Sequence, residues 1–84
     1  MSFVKINHKY GEFYVDATEI EMIYTNIQPA ENKFIVMLSF YSRNYAELLF
    51  NNEKEVEECV QTLKKHKLFK KPSTEYVTLT KESA

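Results

Sequence analysis

The stretch KFIVMLSFY, residues 33–41, constrains the fold of this 84-residue chain more than any other. Side chains of a β-strand point alternately to its two faces, so odd and even positions of the stretch belong to different faces. Both sets are mostly apolar: Phe34, Val36, Leu38 and Phe40 form one, and Ile35, Met37, Ser39 and Tyr41 form the other. Because a surface sheet usually turns one polar face to water, the pattern predicts a strand that needs apolar cover on both sides.

Other segments with strand character surround this stretch. Residues 2–7 (SFVKIN) and 12–15 (EFYV) predict a β-hairpin whose loop ends at Gly11, the only glycine of the chain, with a positive φ. Residues 45–50 (YAELLF) return after the tight connection SRN, and residues 74–80 contain a last strand candidate.

Residues 16–27 (DATEIEMIYTNI) allow two interpretations. As a helix, Asp16 would cap the first turn and Glu19 would complete a capping box. As a strand, Ile20, Met22 and Tyr24 would alternate with acidic residues. Because β-branched and aromatic residues favour sheets, we expect a turn at 16–19 followed by a strand over 20–27, with a helix as the alternative.

The clearest element is a helix within residues 51–69. Asn52 followed by Glu55 is a capping-box signature. Apolar residues recur at the i, i+3, i+4, i+7 spacing of one helical face, namely Val56, Cys59, Val60 and Leu63. Glutamates crowd the start and lysines the end, an order that complements the helix macrodipole, and the helix is expected to stop before Pro72.

This order of elements predicts an α+β fold, an antiparallel sheet of four to five strands with one C-terminal helix packed on one face. We expect a single small domain over residues 1–84, of which 81–84 form a frayed tail. A helix of this length is about 25 Å long and ~10 Å wide, so it covers one sheet face only. We expect the helix to pack on the stripe from Phe34 to Phe40.

The second sheet face is therefore the candidate partner interface. Its predicted members are Ile35, Met37, Tyr41, Tyr45, Tyr14 and Leu49. An exposed apolar patch of this kind marks an interaction site, and methionine and tyrosine suit a surface that is covered only part of the time. Two internal covers remain as alternatives: the segment 74–80 folding across this face, or a second helix over residues 17–27.

The run KKHKLFKK, residues 64–71, is a candidate phosphate-binding surface. Its lysines are Lys64, Lys65, Lys67, Lys70 and Lys71. Lysines also favour the last turn of a helix for electrostatic reasons alone. Arginine is the residue of choice for specific phosphate contacts, and the chain has one, Arg43. The solvated helix end is the favoured interpretation, and nucleic-acid binding is the alternative.

Motifs for catalysis and metal binding are missing from the sequence. His8, Cys59 and His66 do not form a C-x-x-C, H-x-x-x-H or H-E-x-x-H spacing. Cys59 falls on the apolar helical face, as expected of a small core residue. No G-x-S-x-G motif and no glycine-rich phosphate loop occurs. We therefore expect no enzyme activity, no metal and no cofactor.

Charge and hydropathy bound the location of the protein. The net charge is −1, which gives no overall attraction to nucleic acid or to anionic membranes. No apolar run is long enough for a signal peptide or a membrane span, and one cysteine allows no internal disulfide. We expect a cytoplasmic protein without a membrane partner.

These observations predict a small non-enzymatic protein–protein interaction module, such as an adaptor, an inhibitor or a self-associating accessory protein. Its partner would be another protein or a second copy of itself, since two-fold dimers are the commonest oligomers. A nucleic-acid-associated protein that uses the lysine-rich helix end is the alternative.

Overall fold

A computed structural model describes the backbone of residues 3–67 and 75–80 and the side chains of residues 3–66. Its strands are β1 (Phe3–His8), β2 (Gly11–Asp16), β3 (Ile20–Gln28), β4 (Lys33–Phe40), β5 (Tyr45–Leu49) and β6 (Glu75–Thr80). The α-helix, α1, spans Glu53–Lys67, and short 3₁₀ turns precede β3 (Ala17–Glu19) and β4 (Pro29–Glu31). The predicted α+β class, with antiparallel strands and a helix near the C-terminus, is confirmed. The expected tail at residues 81–84 lies outside the described residues.

The strands form two sheets. β1 and β2 pair antiparallel as a hairpin of their own, from Phe3 opposite Asp16 to His8 opposite Gly11. The larger sheet has the order β5-β4-β3-β6, in which β5, β4 and β3 are antiparallel. β6 pairs parallel with β3, from Met22 opposite Glu75 to Ile27 opposite Thr80. The segment 75–80 therefore extends the sheet at one edge, and it is not the internal cover of a sheet face.

The parallel pairing of β6 follows from the position of α1. β5 and β3 both run antiparallel to β4, so β5, β3 and β6 share one direction. Strands that run in the same direction need a crossover connection, usually a helix that lies on the sheet. Here α1 provides that connection, because it leads the chain from β5 at one edge to β6 at the other.

The ambiguous segment 16–27 is a turn followed by a strand, as the residue types predicted. One carboxylate oxygen of Asp16 accepts hydrogen bonds from the backbone N–H of Thr18 at 3.0 Å and from its hydroxyl at 2.7 Å. This cap closes a single 3₁₀ turn, after which β3 begins at Ile20. The register with β4 shifts between Ile20 and Met22, which marks a bulge.

Three of the described residues have a positive φ, and each lies where the chain reverses. Gly11 ends the hairpin loop at φ +125°, which confirms the role predicted for the only glycine. Asn32 has φ 55° before β4, and asparagine tolerates this left-handed conformation. Arg43 has φ 75° in the turn between β4 and β5, where its N–H donates to the carbonyl of Phe40 at 2.8 Å. A left-handed arginine costs roughly 1–2 kcal/mol, so the surrounding hairpin must hold it in place.

The start of α1 is capped by the residues that the sequence indicated. The side-chain oxygen of Asn52 accepts from the backbone N–H of Glu55 at 2.9 Å. The Glu55 carboxylate reaches back to the backbone N–H of Asn51 at 2.8 Å, one residue earlier than in a standard capping box. Two N–H groups at the helix start are thereby satisfied.

The core lies between the large sheet on one side and α1 with the hairpin on the other. The sheet contributes Ile23, Ile27, Val36, Leu38 and Leu48, the helix contributes Val56, Cys59 and Leu63, and the hairpin contributes Val4, Ile6 and Val15. Val60, predicted as an equal member of the helical stripe, is only partly buried at the margin. We call the sheet face that borders this core the inner face.

Candidate interaction surface

The opposite face of the large sheet, here the outer face, is formed by the side chains that alternate with the buried ones. Three rows cross β3, β4 and β5 in register: Met22, Ser39 and Tyr45; Tyr24, Met37 and Glu47; and Asn26, Ile35 and Leu49. Most of these side chains are half-buried by their neighbours within the sheet, while Tyr45 and Glu47 on β5 are exposed.

The first two rows enclose a shallow apolar hollow. Its volume is about 350 Å³, and it is lined by Met22, Tyr24, Met37, Ser39 and Tyr45. Tyr45 stands at its rim with 73 % of its surface exposed. The lining consists of thioethers, phenol rings and one hydroxyl, without a carboxylate, an imidazole or a thiol. Such a surface can hold an apolar side chain, but it supplies no acid, base or nucleophile pair.

The described elements that provide cover all lie on the inner side. α1 and the hairpin bury their apolar residues in the same core as the inner face. β6 lies beside β3 at the sheet edge. Within residues 3–67 and 75–80, neither a helix nor a strand therefore crosses the outer face.

Four of the six residues predicted for the interface share the outer face, namely Ile35, Met37, Tyr45 and Leu49. Tyr41 lies just beyond β4, where its N–H donates to the carbonyl of Glu19 at 3.1 Å and its side chain is 37 % exposed. Tyr14 is not brought to this face. It lies on β2 of the hairpin, 63 % exposed, and its hydroxyl donates to Glu12 at 3.2 Å.

Sequence reasoning missed Met22 and Tyr24 as members of this surface. Their alternation with Ile20 suggested that all three share one face, but Ile20 is fully buried while the other two line the hollow. The bulge between Ile20 and Met22 inserts an extra residue and exchanges the faces that follow it. The apolar residue Ile23, which interrupts the alternation, was the available signal.

A second hollow of about 460 Å³ adjoins the first at the turn between β4 and β5. It is more polar, and its lining residues are Glu21, Ser39, Phe40, Tyr41, Arg43, Asn44 and Tyr45. Tyr45 belongs to both hollows. Arg43 forms no ion pair with any residue that the structure describes. Tyrosine and arginine are the residue types that dominate binding energy at protein interfaces.

A third depression, about 300 Å³, lies between β1 and α1. Its lining residues are Ile6, Asn7, Phe50, Glu55, Glu58, Cys59 and Thr62. The Glu55 carboxylate is already engaged by the helix cap. Burial raises the pKa of the Cys59 thiol to about 12, so this group stays protonated and unreactive at neutral pH. Nearby, the His8 ring meets Tyr10 and Phe50 edge-on, and its buried Nδ1 has no hydrogen-bond partner in the described part of the chain.

The predicted phosphate contacts are only partly covered by the description. Lys64 and Lys65 are exposed on the last turns of α1, and Lys67 is its final residue. Lys70 and Lys71 lie outside the described residues. In the described part of the chain, no three histidine, cysteine or acidic side chains gather as a metal site. The described helix is also too short and too polar to cross a bilayer.

Comparison with protein-family models, with curated proteins and with solved structures yields no significant match for this chain.

Proposed function

We propose that this chain is a small non-enzymatic protein–protein interaction module that binds its partner through the outer face of the large sheet. The observation that carries the proposal is the apolar hollow at Tyr24, Met37 and Tyr45, on the side of the sheet away from α1 and the hairpin. An apolar concave surface rimmed by polar groups is typical of a binding site.

The residue types of the hollow support this role. Met22 and Met37 have flexible side chains that adapt to the shape of an incoming group. Tyr24 and Tyr45 combine a large apolar ring with a hydroxyl that tolerates water, which suits a surface that is wet when free. Complete burial of an apolar side chain contributes about 1.5–3 kcal/mol, so completing the burial of several half-buried ones is a sufficient driving force for association.

The test is a charge placed in the floor of the hollow. Met37→Asp puts a carboxylate where a partner must exclude water, so it is expected to abolish association while the monomer stays folded. The matched control is Gln61→Asp, which changes the net charge by the same one unit at an exposed position on α1. Solution mass over a wide concentration range gives association, and thermal unfolding by circular dichroism gives the fold.

Two results would contradict the proposal. Unfolding of the Met37→Asp monomer would mean that the outer face is internal core. Binding of single-stranded DNA that falls steeply from low to moderate salt, and that survives Met37→Asp, would point to the lysines at the end of α1, because phosphate contacts release counterions.

A further inference from the structure

The free edge of β5 carries backbone groups that no described residue satisfies. Phe50 donates its N–H inward to Phe34 at 2.8 Å, whereas the carbonyl of Leu49 points outward and accepts from Lys9 at 2.7 Å. Because the direction alternates along a strand, Glu47 and Tyr45 also point their N–H and C=O groups away from β4. Neither residue has a backbone hydrogen bond on that side to another described residue.

An edge of this kind is a template for a further strand. Sheet proteins usually guard such edges with lysine, proline, bulges or a covering element. β5 reads Tyr-Ala-Glu-Leu-Leu, so it has no lysine, no proline and one charge. The contact from Lys9 blocks the edge at Leu49 alone. No other described backbone group bonds the edge from Tyr45 to Glu47, which lies next to the hollow whose rim is Tyr45.

We propose, building on the interaction role above, that the occupant of this edge is a second copy of the chain, paired antiparallel through β5 about a two-fold axis. Identical antiparallel edges are self-complementary, since each residue that offers an N–H and a C=O meets a residue that offers the same two groups.

The register of the pair follows from charge and from the groups already in use. Pairing about Glu47 would place two carboxylates opposite each other and would need the Leu49 carbonyl that Lys9 occupies. Pairing about Ala46 neither opposes two carboxylates nor needs the Leu49 carbonyl. Each Tyr45 then faces Glu47 of the second copy, and the two such pairs exchange four backbone hydrogen bonds.

This register also offers a partner to Arg43, which has no ion pair with a described residue. Arg43 lies in the turn that leads into β5, two residues before Tyr45, so its long side chain starts near Glu47 of the second copy. Two such contacts arise by symmetry. The result is a continuous sheet of eight strands, four from each copy, with an apolar hollow on either side of the axis.

The first test removes one edge donor without touching the ladder to β4. Glu47→Pro deletes an N–H that points outward, and proline is tolerated at such edge positions. Glu47→Ala is the matched control, because it removes the same charge and keeps the N–H. We expect the wild type and Glu47→Ala to reach about 20 kDa, twice the 10.0 kDa of one chain, and Glu47→Pro to stay monomeric at the same concentrations.

The second test is a disulfide across the axis. In the Ala46-centred register, Ala46 faces itself as a non-hydrogen-bonded pair, where side chains approach most closely. Ala46→Cys is therefore expected to oxidise to a covalent dimer. Lys54→Cys on the exposed side of α1 serves as the control, and the buried Cys59 does not compete.

The outcomes separate this inference from the interaction role. A wild-type chain that stays monomeric overturns the second copy as occupant, and so does an Ala46→Cys variant that cross-links no faster than Lys54→Cys. A dimer that Met37→Asp dissociates but Glu47→Pro leaves intact overturns the edge pairing and keeps the interaction role of the outer face. A dimer that Glu47→Pro dissociates but Met37→Asp leaves intact supports the edge pairing and overturns the outer face as the surface of self-association. If Glu47→Pro fails to fold, the Ala46→Cys result decides.

Discussion

Val36 and Met37 are consecutive in β4, yet Val36 is fully buried on the inner face while Met37 lines the hollow on the outer face. One peptide unit thus separates the core of the domain from its candidate interaction surface. This arrangement allows the two surfaces to be tested with the same chemical change at neighbouring positions.

The pair Val36→Asp and Met37→Asp is expected to separate folding from binding. A carboxylate at Val36 would have no water and no partner, so we expect a loss of about 4 kcal/mol or more and an unfolded chain. At Met37 the carboxylate reaches solvent, so the loss in the free energy of unfolding should be about 1 kcal/mol. Urea unfolding followed by circular dichroism measures both. Equal destabilisation would mean that the outer face is covered.

The helix stripe predicts a second contrast, between Leu63 and Val60. Leu63 is fully buried against the sheet, so Leu63→Ala should lower the free energy of unfolding by about 2–5 kcal/mol. Val60 is only partly buried, and Val60→Ala should cost about 1 kcal/mol or less. Denaturant titration gives the two values. A larger loss at Val60 would require α1 to be rotated on the sheet.

The buried nitrogen of His8 predicts a stabilising substitution. Its Nδ1 has no hydrogen-bond partner among the described residues, and a buried unsatisfied group costs about 1–3 kcal/mol. The ring contacts Phe50 edge-on at a centroid distance of 6.4 Å, a contact that phenylalanine can keep. His8→Phe should therefore raise the melting temperature, measured by calorimetry. His8→Ala, which removes the ring contacts as well, is the control and should lower it.

The sequence predicted those features that depend on local chemistry. The helix with its Asn52 cap, the turn at Asp16 and the loop at Gly11 each follow from residues close together in the chain. Both faces of β4 were also assigned correctly, because an uninterrupted alternation fixes which side chains share a face.

Features that depend on pairing between distant segments could not be predicted from neighbouring residues. The bulge near Met22 changes the face of β3, and it is defined only by the register with β4. Separation of the hairpin as its own sheet and the parallel pairing of β6 depend on where α1 packs. The outer face was consequently recognised on β4 and β5, while Tyr24 on β3 was missed and Tyr14 on the hairpin was included.

Cys59 gives a prediction about pH. Its thiol has a usual pKa of 9.0, and burial raises the pKa to about 12 in the folded chain. Between these values the unfolded chain loses a proton that the folded chain retains, so the free energy of unfolding falls as the pH rises. The stabilisation that comes from the protonated thiol is complete below pH 9. Above pH 9 it declines by up to about 1.4 kcal/mol per pH unit.

The measurement compares wild type with Cys59→Ala by denaturant unfolding below and above pH 9. All other groups are common to both proteins, so the difference between their slopes of unfolding free energy against pH isolates the thiol. The same burial predicts that iodoacetamide labels Cys59 at the rate of unfolding events, because the thiolate is the reactive species. Native-state labelling as fast as that of a free thiol would show that the space between β1 and α1 opens, and it would remove the basis for treating Cys59 as core.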